Sequence, residues 1–175
     1  SGSITTNSAV SDFSNRYFAL GYKSLPKTSI PDDNFEAYLE ANGMGDGIAN
    51  NNYVTTANIS GITSLDVNNQ NIADLTGIED FTSINQLNCD GNSLTILDLS
   101  QNTTLTSISC GTNQLTSLDV NGLANLTNFT FDNNPLTYLN MSNCTGLTGI
   151  INVDGMGGSG LNLSTLNITG CSNIT

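Results

Sequence analysis

The groups in this 175-residue chain with the means to do chemistry are four cysteines and 15 aspartates and glutamates; histidine is absent. Cys89 and Cys110 stand 21 residues apart, and Cys144 and Cys171 stand 27 apart. With no C-x-x-C and no His, a zinc site lacks its ligands. Asp98 and Asp119 are also 21 apart, and Asp90 and Asp132 are twice that. Two carboxylates could hydrolyse a glycosidic bond if held about 5–9.5 Å apart, or could bridge a calcium ion. Ser and Thr are plentiful, but no G-x-S-x-G and no imidazole base accompany them, so a hydrolase triad has no support. Reactive types that recur at one interval suggest stacked columns more than a single reaction centre.

The interval is real. Residues 84–104, 105–125 and 126–146 are three versions of one 21-residue unit. Numbered from Ile84, apolar residues recur at positions 1, 4, 6, 11, 14 and 16: Ile84, Leu87, Cys89, Leu94, Leu97 and Leu99 in the first unit. Two short alternating segments, each preceded by an apolar residue three places earlier, predict two brief strands per lap of a solenoid. Six buried side chains at ~1.5–3 kcal/mol each cannot offset ordering about twenty backbones at ~1–2 kcal/mol each. A lone unit is therefore unfolded, and the array is what folds. Upstream, residues 62–83 form a 22-residue unit with Gln70 in the position-9 slot; downstream, "LSTLNITGCSNI" from Leu163 matches "LTYLNMSNCTGL" from Leu136 with six residues extra, assigned to a Gly-rich loop near 154–160.

Stacking assigns roles to columns. Position 9 is Asn92, Asn113 and Asn134, expected to form a structural ladder that serves the N–H and C=O groups of an inward-turning backbone. Stacked strands lie about 4.8 Å apart, so Cys89–Cys110 and Cys144–Cys171 bridges are conceivable; parallel side-by-side Cβ vectors suit a disulfide poorly, and free thiols are the expectation. Asp98 and Asp119 share position 15. Solvated turn-forming residues are the plain reading of that column, and calcium the sharper one. The outward residues of the first strand are Gln86, Asn88 and Asp90, then Ser107 and Ser109, then Asn128, Thr130 and Asp132. With Tyr138 on the opposite strand, they are the candidate ligand surface: flat, polar and poor in hot-spot residues.

Charge narrows the partners. The net charge is −12, and all three basic residues (Arg16, Lys23, Lys27) precede residue 28. That field disfavours nucleic acid and anionic membrane surfaces. No apolar run approaches the ~20 residues needed to span a bilayer. The opening "SGSITTNSAV" has neither a basic nor an apolar signal region, so any signal peptide is expected to be gone already. Abundant Asn, Thr, Ser and Gly with sparse charge suggest an exported protein.

"INQLNCDGNSL", "LTSISCGTNQL" and "LTNFTFDNNPL" carry L-x-x-L-x-C-x-x-N-x-L, which resembles the leucine-rich-repeat signature. "LTSLDVNGLAN" and "NIADLTGIEDF" are similar to secreted proteins of the Bacteroidetes–Flavobacteria type, with internalin-like and BspA-like arrays the nearest analogies. "SIPDDNFEAYLEANGMGDG" is similar to the helical cap that opens such arrays; Pro31, the acidic residues after it, Gly43 past the end, and Phe35, Tyr38 and Leu39 on one face support that helix independently. The resemblance implies an α/β-class, mostly β, right-handed solenoid of about five repeats of 21–22 residues. The expected organisation is an extension (1–28) packed on or near a cap (29–61), then the array (62–175). It further implies a secreted or cell-surface, non-enzymatic adhesion module, monomeric in isolation, whose partner is a protein or glycan. A carbohydrate-binding accessory domain and a spacer in a surface fibre are the alternatives.

Overall fold

The computed structural model describes residues 24–148, 163–172 and 174. The expected Gly-rich insertion at 154–160 and residues 1–23 of the expected extension lie outside them. Repeat positions 3–5 form β3 (Ser64–Asp66), β4 (Gln86–Asn88), β5 (Ser107–Ser109) and β7 (Asn128–Thr130). These pair in parallel in the order β3-β4-β5-β7, with Leu65, Leu87, Ile108 and Phe129 in one row. A second parallel sheet is made from positions 13–15: β6 (Ser117–Asp119), β8 (Tyr138–Asn140) and β9 (Thr165–Asn167), preceded by a bridge between Asp98 and Asp119. The result is a mostly β solenoid of about four turns among the described residues, with part of the expected fifth represented by β9. Tyr138 and Thr165 are in register although 27 residues separate them, so the second sheet keeps its pairing across the longer interval.

The repeated apolar positions point inward to one continuous core. Position 6 stacks Val67, Cys89, Cys110 and Phe131, all buried. Phe129, expected inward at position 4, is only half buried; its ring lies 4.8 Å from that of Phe131. Polar repeat residues also contribute to the stack. Thr106, Thr127 and Thr137 each donate both backbone N–H and hydroxyl to a carbonyl 21 residues earlier, those of Asn85, Thr106 and Thr116. The threonine content is thus partly a set of bonds between laps.

After each first strand the chain turns inward through a left-handed residue at position 8: Asn69, Gly91, Thr112 and Asn133, with φ of 54°, 67°, 52° and 55°. Asn and Gly tolerate that conformation, whereas a β-branched Thr is strained by it. Position 9 follows, and its amide meets backbone rather than its Asn neighbours. Asn113 accepts from Leu94 N–H at 3.0 Å and donates to Cys89, Cys110 and Gly111 carbonyls at 3.0, 3.2 and 3.1 Å. Asn134 repeats this with Leu115 N–H and the Cys110 and Phe131 carbonyls, and Asn92 with Gln70 and Ile72 N–H and the Val67 and Cys89 carbonyls. Gln70, in the same slot one unit earlier, is exposed and donates to its own Asn68 carbonyl. It opens the array and has no preceding turn to receive an inward amide, so it leaves the column.

Ahead of the array, helix α1 (Asp33–Ala41) sits between β1 (Lys27–Ser29) and β2 (Tyr53–Thr55), which pair antiparallel. That small sheet is absent from the sequence reading, because its strands are three residues long and lack alternation. Asp32 caps α1, with Oδ1 accepting from Asn34 and Phe35 N–H, both at 3.0 Å. Its Oδ2 accepts from Ala73 and Asp74 N–H at 2.8 and 3.1 Å, joining the helix to the first turn of the array. Phe35 stacks on Phe81 at 6.3 Å. Past the helix end, Gly43 (φ 74°) donates to the Glu40 carbonyl and Met44 to that of Leu39, a left-handed stop that needs no side chain.

Asn113→Leu retains bulk but orphans the buried Leu94 N–H and removes one donor from the Cys89, Cys110 and Gly111 carbonyls, which keep Asn92, Asn134 and the Gly91 N–H. An orphaned buried N–H costs ~1–3 kcal/mol, so stability should drop by about that much in urea unfolding. A variant with an unchanged midpoint contradicts the assignment.

Candidate binding surface

Residues of the first sheet that point away from the core form one exposed or half-exposed face. Gln86, Ser107 and Asn128 lie side by side, as do Asn88, Ser109 and Thr130. The flanking carboxylates are less available than their letters suggest. Asp90 is half buried; its Oδ2 accepts from the Ser109 hydroxyl at 2.5 Å and its Oδ1 from Gly111 N–H at 2.6 Å. Ser109 is also bonded to Thr130 at 2.7 Å, making a chain of oxygens across three turns. Asp132 lies over Gly111, where an added Cβ would come within 2.9 Å of its Oδ1. Position 7 therefore alternates Asp, Gly and Asp because the side chains of neighbouring turns fill the glycine's space. Asp90 braces the sheet, while Gln86, Asn128 and Thr130 remain exposed.

The second column of acids has a turn-forming geometry. Asp98 accepts from Ser100 N–H and Asp119 from Asn121 N–H, both at 2.9 Å; Asn140 and Asn167 do the same for Ser142 and Thr169. The Ser100 bonds hold the Asp98 carboxyl below its ordinary range. Asp119 also accepts from Asn140 Nδ2 at 3.1 Å. Two carboxylates side by side, each closing an Asx turn, leave calcium with one acidic pair and no third acidic ligand: among the described residues no group of three or more His, Cys, Asp or Glu is placed to hold a metal. Tyr138 belongs to this second sheet, separate from the Gln86 face, and is half buried.

Several features escape a reading by letters. Asn102, at position 19, is buried and donates to the Ile78 carbonyl at 2.8 Å, while its Oδ1 has no partner. The same column continues as Leu123, Cys144 and, after the insertion, Cys171, so only one turn carries an amide there. Ile96 at position 13 is 75% exposed, although its neighbours Leu97 and Leu99 are core residues. Grooves of about 560 and 490 Å³ flank it. Neither Asn102 nor Ile96 falls on the repeated inward positions, so the period carries no signal for them.

All four cysteines are free. Each thiol donates to a carbonyl: Cys89 to Ser109, Cys110 to Thr130, Cys144 to Val120 and Cys171 to Met141. Burial pushes the Cys89 thiol up to about 12, with the Asp90 charge adding, and Cys144 to about 11, with Cys171 adding. Cys110 is raised well above its ordinary value, again by burial first and then by Cys89 and the nearby aspartates. Thiolate is the reactive form, so these three are inert packing groups. At about pH 8, near the ordinary thiol range, a disulfide reagent should titrate at most one cysteine, half-buried Cys171, in the folded chain and all four after unfolding. Fast reaction of Cys89 or Cys110 in the native protein contradicts this burial.

The family described as the endo-beta-N-acetylglucosaminidase EndoS LRR domain matches residues 55–161. Internalin J of Listeria monocytogenes serotype 4b (strain F2365) is 42% identical over 74 residues, 42% of this chain and 8% of internalin J. The functional domain of InlJ from Listeria monocytogenes, which includes a cysteine ladder, aligns with a TM-score of 0.57 at 34% identity, covering 87% of this chain and 38% of that one. An internalin, InlF, from Listeria monocytogenes strain 4b F2365 aligns with a TM-score of 0.61 at 26% identity, covering 83% and 43%. This chain thus spans less than half the length of each of these relatives. From the match to more than half its length and the solenoid that carries it, the chain belongs to the EndoS leucine-rich-repeat domain family and is internalin-like.

Proposed function

We propose that this chain is a non-enzymatic binding module that recognises a protein on a cell surface through the outward face of its first sheet. The observation that carries the reading is the alignment of Gln86, Asn88, Ser107, Ser109, Asn128 and Thr130 on one in-register platform. A preformed surface binds without the entropy of ordering it. Its short polar side chains suit hydrogen bonds to a partner's exposed backbone or amides. Internalin similarity and a composition rich in uncharged polar residues support an extracellular setting, secreted or surface-held. No described helix is long and apolar enough to cross a membrane.

Carbohydrate is the second reading, favoured by one observation: the matching family is named for the repeat domain of an endo-beta-N-acetylglucosaminidase. In that case the chain serves as an accessory domain beside a separate hydrolytic unit. The face offers amides and hydroxyls to sugar hydroxyls, though it has no aromatic ring on which a sugar can stack.

Screening the chain against host surface proteins and glycans separates the two. Replacing Gln86 and Asn128, both exposed, with Arg should weaken capture of the true partner by about tenfold or more without lowering the unfolding midpoint. A partner bound equally by wild type and double variant places recognition elsewhere. Binding confined to glycans selects the accessory-domain reading.

A further inference from the structure

Ile96 is exposed at repeat position 13, where the following turns carry the strand residues Ser117, Tyr138 and Thr165. Strand preference for β-branched and aromatic residues is met by Thr165 and Tyr138 without an open aliphatic group, so it does not account for the solvent exposure of Ile96. The residue forms the wall shared by two grooves. One of about 560 Å³ has Asp74, Glu79 and Asp98 in its lining; the other, of about 490 Å³, has Asp98 and Asp119. An apolar crest thus runs between acidic flanks. Lys27, the basic residue among those described, is engaged elsewhere, by Asp46 at 2.9 Å. None of the four groove carboxylates has a cationic partner among the described residues.

We infer that the Ile96 crest docks an extended, cationic segment of a partner protein, with an aliphatic side chain set against Ile96 and Lys or Arg over the carboxylates on both sides. Charge complementarity selects this occupant. An anionic or neutral apolar segment would face the carboxylates without compensation, and a purely basic one would leave Ile96 in water. An extended chain places alternate side chains about 6.5–7 Å apart on one face, a spacing suited to a crest with flanks. The site lies on the side of the second sheet and does not depend on the Gln86 face.

Calorimetric titration of the full chain with a blocked Lys-Ser-Leu-Ser-Lys peptide, whose first, third and fifth side chains share one face when extended, tests the inference. Binding should weaken by about tenfold with Ile96→Ser, and comparably with Asp74→Asn and Glu79→Gln combined. It should also fall as salt screens the charges. Ser is the residue of the next turn, so the fold should persist; Ile96→Thr, matching Thr165, replaces it should the serine variant unfold. A Lys-Ser-Ser-Ser-Lys or Glu-Ser-Leu-Ser-Glu peptide that binds as well overturns the combined apolar and cationic requirement. So does equal binding by the Ile96 variant. A wild-type dimer in sedimentation that Ile96→Ser converts to monomer also overturns it, by making a second copy of the chain the occupant.

Discussion

The structure depends on what happens to the backbone just after each first strand. There the chain turns toward its own interior, and peptide groups that have left the ladder must find partners away from water. The position-9 amide supplies them, with an acceptor for an N–H of the preceding turn and donors for carbonyls of both turns. Since each amide needs a neighbour exactly one lap away, the repeat length is constrained by hydrogen bonding as well as by hydrophobic burial. Gln70, at the opening of the array, shows the same rule from the other side: without an earlier lap, the slot loses its inward amide.

The remaining columns reflect this register. Thr hydroxyls add bonds to carbonyls 21 residues away, Asx turns follow Asp98, Asp119, Asn140 and Asn167 in the second column, and thiols donate to carbonyls from the core. Consequently the residues that look most chemical have structural work. Asp90 braces two neighbouring turns, Asp98 and Asp119 fold their own backbone, and the Cys89 and Cys110 thiols stay protonated in the interior. What stays exposed, and carries the two proposals made above, is a polar platform on one sheet and an isolated apolar crest beside the other.

Much of the architecture was legible because a solenoid writes each structural requirement several times. The inward positions, the paired strands of the laps from Leu105 and Leu126, the Asn column and the α1 segment follow from periodicity and capping residues, while in the lap from Ile84 the expected second strand shrinks to the Asp98 bridge. Features that occur once were not legible. Asp32 caps a helix by a local rule, but its second pair of bonds, to Ala73 and Asp74, joins residues about forty positions apart. The β1–β2 pairing is equally non-local. Asn102 interrupts an otherwise apolar or thiol column, and Ile96 interrupts an otherwise polar or half-buried one. The surface candidates read from the sequence assumed that an outward letter is an available one. Asp90 departs from that because its oxygens are occupied by Ser109 and Gly111 of the next lap.

Amide hydrogen exchange tests the central claim most directly. The N–H groups of Leu94 and Leu115 belong to no strand, yet each is bonded at 3.0 Å to an Asn oxygen of the following turn. They should exchange only with global unfolding, as slowly as the amides of β5. Exchange at the rate of an open surface loop would mean that the laps are not tied together through these side chains, and the account of the fold would be wrong at its foundation.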